Sequence, residues 1–110
     1  MRPFMFVIRS TPLPENRNYG KIAGAFVHVW VISTDLSSAQ EIAYTFIRHY
    51  LWTPEEIEHA FEIEPEQIFS LHKDEIALYR QALKFGVAAD FVGWLADEGK
   101  SGDPVLLWRP

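Results

Sequence analysis

Residues 22 to 33, IAGAFVHVWVIS, are apolar at odd and even positions alike. Side chains along a strand alternate between its two faces, so a run like this needs cover on both sides and belongs at the centre of a sheet. The two faces differ in kind. Ala23, Ala25, Val27, Val29 and Val31 make a small, β-branched side suited to a helix laid over it, whereas Phe26, His28, Trp30 and Ile32 make a bulky aromatic side. The rest of the chain has to be arranged around this strand.

Before it, residues 3 to 9 (PFMFVIR) read as a short strand, and residues 10 to 21 (STPLPENRNYGK) carry the prolines, asparagines and glycine of a surface connection. After it, Asp35 or Ser37 can cap a helix in which Leu36, Ala39, Ile42, Ala43, Phe46, Ile47 and Tyr50 recur at helical spacing. In residues 53 to 63, Ile57, His59, Phe61 and Ile63 alternate with Glu58, Ala60 and Glu62, which reads as a strand, with a short helix as the alternative. Pro65 closes that run, and QIFSL is expected to return as another strand through a turn at Glu64 to Glu66. Asp74 to Phe85 reads as a second helix with Ile76, Tyr79 and Leu83 inward and Gly86 as its stop. Residues 87 to 95 (VAADFVGWL) read as a strand, ADEGKSGD as a turn-rich connection, and VLLW as an edge strand or docked tail.

This order, strand, helix, two strands, helix, strand, resembles the ferredoxin-like βαββαβ sandwich over residues 22 to 95, with an additional N-terminal strand. The resemblance lies in the pattern of elements and carries no family motif. It implies a single α+β domain over residues 1–110 in which both helices cover one face of an antiparallel sheet. The extra strand is then expected at an edge or across a subunit boundary, because residues 22 to 33 already have two neighbours.

Composition narrows the function. Cysteine is absent, which removes thiolate catalysis, disulfides and cysteine-ligated metals. No apolar run approaches a membrane span, so a soluble, cytoplasmic protein is expected. Residues 1 to 50 carry five basic and three acidic side chains, and residues 51 to 110 five basic and twelve acidic. Basic residues this scattered do not make a nucleic-acid surface. The four histidines have no metal-ligand spacing, so neither metal nor cofactor is expected.

The aromatic side then decides the expected role. With both helices on the valine side, Phe26, His28 and Trp30 would lie open, together with Trp94, as an interface for a homodimer or another protein. The same placement allows Phe4, Phe6 or Trp108 to fold back and complete an ordinary core. A second possibility is a small enzyme or ligand-binding protein of the dimeric α+β barrel kind, in which two facing sheets enclose a pocket lined by Phe26, His28, Trp30 and Asp90 or Trp94, with His28 as proton acceptor. A structural, hydrogen-bonded histidine fits that position equally. A third is an acidic inhibitor or immunity-like protein using Glu55, Glu56, Glu58, Glu62, Glu64 and Glu66 against a basic target, although such runs commonly serve as solvated faces. Arg17, with Asn16, Asn18 and Tyr19 beside it, is the candidate contact for an anionic small molecule.

Overall fold

The computed structural model describes residues 1–95 and 105–108, and it places a small α+β structure on one antiparallel sheet. Strands β1 (Arg2–Pro12), β2 (Ile22–Ser33), β3 (Trp52–Glu62) and β4 (Val87–Leu95), with the short β5 (Val105–Trp108), lie in the order β3-β1-β2-β4-β5. The helices are α1 (Leu36–His49), the single-turn α2 (Pro65–Ile68) and α3 (Lys73–Phe85). The ADEGKSGD connection expected after Leu95 falls outside the described residues, whereas VLLW is an edge strand.

β2 is central, but its neighbours differ from those of the ferredoxin-like order. β1 takes an inner position, paired along its length with β2 on one side and β3 on the other. The expectation of an edge or inter-subunit first strand is therefore corrected. Register supplies the reason. Phe4, Phe6 and Ile8 stand opposite Val31, Val29 and Val27, so the hairpin presents one continuous apolar face, and all six side chains are buried. Burying each phenylalanine or isoleucine is worth about 1.5–3 kcal/mol. An edge position would leave part of that face without cover.

The layering is corrected as well, because α1 and α3 lie on opposite faces of the sheet. On one face, Ala39, Ala43 and Ile47 of α1 pack against Phe4, Phe6, Ile8, Val27, Val29, Val31 and Phe91. On the other, Leu78 and Ala82 of α3 pack with Trp30, Ala88 and Ile63. Trp30 is 3% exposed and meets Tyr79 edge-on at 6.4 Å between centroids. Small Ala82 and Ala88 leave room for the indole, and this packing defines the inner side of α3. Leu83, expected inward, is 56% exposed, while Ile76 and Tyr79 are half-buried flanks.

A third correction explains the layering. Residues 53 to 63 do form a strand, but QIFSL does not return as another. Pro65 sits at the first helical position, and Glu64 and Gln67 cap each other, with the Glu64 N–H donating to Gln67 Oε1 at 2.7 Å. The chain turns through α2 instead of doubling back along the sheet, and α3 reaches β4 over the face that α1 does not occupy.

Helix ends follow ordinary rules. Gly86 ends α3 at φ 90°, a left-handed conformation that glycine adopts without penalty. Asp35 caps α1, with the Ser38 N–H donating to Asp35 Oδ1 at 2.7 Å. No helix among the described residues is long and apolar enough to cross a membrane.

The Ser38 hydrogen bond holds the Asp35 carboxyl below its ordinary value of 3.8. A carboxylate with a depressed folded pKa adds stability above its unfolded value, and that stability disappears as pH falls through the folded value. Asp35→Ala is expected to lower the thermal midpoint at neutral pH and to narrow the gap between neutral and strongly acid midpoints. Thermal denaturation monitored by circular dichroism checks this, and an unchanged gap would show that the cap contributes nothing.

Candidate functional site

α3 packs mainly against β2 and β4 and covers the Trp30 end of its face. Beyond that end, the same face continues through half-buried Val7 and Arg9 of β1, Phe26 and His28 of β2, and Asp90, Val92 and Trp94 of β4. The expected open set of Phe26, His28 and Trp30 is thus divided. Trp30 belongs to the core under α3, while Phe26 and His28 stay on the part that no described helix covers.

One glycine shapes this part. Gly24 stands opposite Trp94, and a Cβ built on it would meet the Trp94 indole at 2.7 Å. The missing side chain lets the indole lie across β2, where it packs against Phe26 at 5.3 Å between centroids with the rings tilted by 48°. Leu106 of β5, opposite Val92, is 51% exposed beside them. The result is an aromatic platform. Sequence reasoning marked Phe26 and Trp94 but missed Gly24, because its role appears only in the register of the two strands.

His28 and Asp90 are direct cross-strand partners at the border between platform and covered end. The His28 Nδ1 lies 2.9 Å from Asp90 Oδ1, with side chains 35% and 13% exposed. With Asp90 ionised, Nδ1 is the donor and Nε2 the remaining ring nitrogen, so the carboxylate fixes ring and tautomer. The adjoining cleft among Met5, Trp30, Leu78 and Glu75 has about 200 Å³, less than typical small-molecule sites offer. Of the residues expected around a pocket, His28, Trp30 and Asp90 line this cleft, while Phe26 and Trp94 lie outside it. Among the described residues, no group of three metal-ligating side chains is placed to hold an ion.

The acidic strand is largely engaged by its neighbour. Arg9 Nη2 donates to Glu56 Oε2 at 3.0 Å and Arg9 Nε lies 3.7 Å from Glu58, while Arg2 Nε lies 3.2 Å from Glu62. Thr11 Oγ1 donates to Glu55 at 2.7 Å, and Glu64 caps α2. Hydrogen bonding to Glu56 raises the already high Arg9 pKa, so this side chain stays charged. Exposed pairs of this kind add little stability, but they neutralise carboxylates that a basic target would need.

At the same end of the sheet as the platform but on the α1 face, the β1–β2 loop and the α1–β3 junction form a cleft of about 470 Å³. Asn16 to Asn18, Tyr50 to Trp52 and Phe91 line it. Asn16, grouped by sequence with ligand-binding side chains, is instead a buried brace: its Nδ2 donates to the Leu51 carbonyl at 3.0 Å, and its Oδ1 accepts from the Asn18 N–H at 2.9 Å. Arg17 lines this cleft and is exposed, whereas Tyr19, 57% exposed, is not part of the lining.

Gly24→Ala should displace the Trp94 indole, since the Ser10 carbonyl at 3.2 Å from the added Cβ blocks escape on the other side. The expected outcome is a red-shifted tryptophan emission and a stability loss of about 1–3 kcal/mol, measured by urea denaturation. An unaltered emission spectrum would mean that the platform does not depend on that gap. The functional reading rests on this geometry alone, since no family model, no curated protein and no solved structure matches the chain.

Proposed function

We propose that the protein is a small interaction module that associates with a second copy of itself through the aromatic platform. The observation that carries this reading is the Trp94 indole held across Gly24 against Phe26, on a part of the sheet over which no described helix lies. Rigid aromatic side chains supply much contact area at low entropic cost, and they dominate the centres of protein interfaces.

A two-fold arrangement suits the patch, because each copy offers the same rings to the other. The rim is polar and already internally paired, with His28 bound to Asp90 on one side and Arg9 bound to Glu56 on the other. Docking two such faces therefore leaves no rim charge newly unpaired, which matters because a buried unpaired charge is costly. A stable interface of this type buries about 800 Å² per partner, so the platform needs Val7, Val92 and Leu106 around it as well as the two rings. No proton acceptor, nucleophile or metal is required by this role, and His28 acts as an oriented structural side chain at the rim.

Sedimentation velocity over a wide concentration range tests the proposal. The unaltered chain is expected to sediment increasingly as a dimer, and Phe26→Glu to remain monomeric while keeping the far-ultraviolet circular dichroism of the folded chain. A unaltered protein that stays monomeric at the highest concentration would contradict the reading.

A further inference from the structure

We propose that the cleft between the β1–β2 loop and the end of α1 binds a small aromatic carboxylate. This site lies with Phe91 on the α1 side of the sheet, away from the platform, so it stands or falls independently of the association surface.

Charge is the first argument. Arg17 makes no ion pair with any described carboxylate, and no acidic residue occurs in the described lining. A guanidinium on the wall of a cleft whose described lining carries no negative charge favours an anion, and its planar fork matches the two oxygens of a carboxylate. One positive charge balances a monoanion. A phosphate, closer to two negative charges, would leave the second unmet.

The walls are the second argument. Tyr50 and Trp52 both pack against Phe91, at 6.3 and 5.6 Å between centroids, and a space of about 470 Å³ lies against them. That size is within the usual range for small-molecule sites, which combine apolar and aromatic walls with a few polar groups. A flat apolar body joined to a carboxylate matches the aromatic wall and Arg17 together.

Backbone strain is the third. Leu51 follows the C-cap of α1 and has φ 67°, in the left-handed region. Glycine is the ordinary occupant there, and an L-residue is disfavoured. The conformation is held by the Leu13 N–H and the Asn16 side chain, both donating to the Leu51 carbonyl at 3.0 Å. The chain thus keeps a leucine where glycine would be free of strain, and that side chain, 41% exposed, forms part of the cleft wall. Strain of this kind collects at binding sites. The Asn16 brace means that the cleft is already formed before a ligand arrives, which reduces the ordering cost of binding.

The test uses phenylacetate as the probe on the full chain, read by amide shifts in two-dimensional nitrogen–proton spectra. Phenylacetate is expected to move the amides of residues 16–18 and 50–52 saturably. Phenylacetamide, the same body without the charge, should bind about tenfold or more weakly, and so should phenylacetate to Arg17→Ala. Arg17 is exposed, so its replacement leaves the fold intact, and the amide comparison needs no variant. The proposal is overturned if those amides do not respond saturably to phenylacetate, if the neutral amide binds equally well, if Arg17→Ala changes nothing, or if inorganic phosphate occupies the site more tightly.

Discussion

The pairing of β1 with β2 governs the rest of the structure. Its register sets Phe4, Phe6 and Ile8 beside Val31, Val29 and Val27 and so creates the apolar face that α1 covers. The hairpin is also local in sequence, so closing its loop costs less entropy than a distant pairing. Once β1 is bonded to β2, its second edge is free for β3, and β3 runs parallel to β2 because both are antiparallel to β1. The chain from β2 to β3 then has to cross β1, which places α1 over the hairpin. The return from β3 to β4 uses the face that remains.

Much of this was legible in the sequence. The apolar run from Ile22 to Ser33 announced a central strand, and β2 is one, covered over its valines on one face and in part on its aromatic face. The alternation from Ile57 to Ile63, the capping Asp35 and the terminating Gly86 were each readable from local rules. What could not be read was the side on which each helix packs. Helical spacing identifies an apolar stripe but not the strand face that receives it. In α3 the deciding contacts involve Ala82 against Ala88 and the indole of Trp30, and small residues give a weak signal beside the more obvious Ile76 and Leu83. The aromatic side of β2 did need cover, as its composition demanded, and α3 supplies half of it.

The candidate sites show the same division. Phe26, Trp94 and Arg17 stood out by residue type. Gly24 and Leu51 did not, and Asn16 stood out for the wrong role, since what these residues do depends on register, burial and a single backbone angle. The glutamates of β3 read as an acidic surface because no lysine or arginine stands near them in sequence, yet their spatial neighbours are Arg2 and Arg9 of β1. Charge in a sheet is balanced across strands, which one-dimensional counting does not register.

The inner placement of β1 is the claim on which the layering, the platform and the engaged glutamates all depend, and amide hydrogen exchange tests it directly. Amides of residues 4 to 10 are expected to exchange as slowly as those of β2, at consecutive positions, because β1 is hydrogen-bonded on both sides. β3 should instead show slow and fast amides in alternation, as an edge strand does. Alternating protection in β1, with consecutive slow amides in β3, would contradict the account.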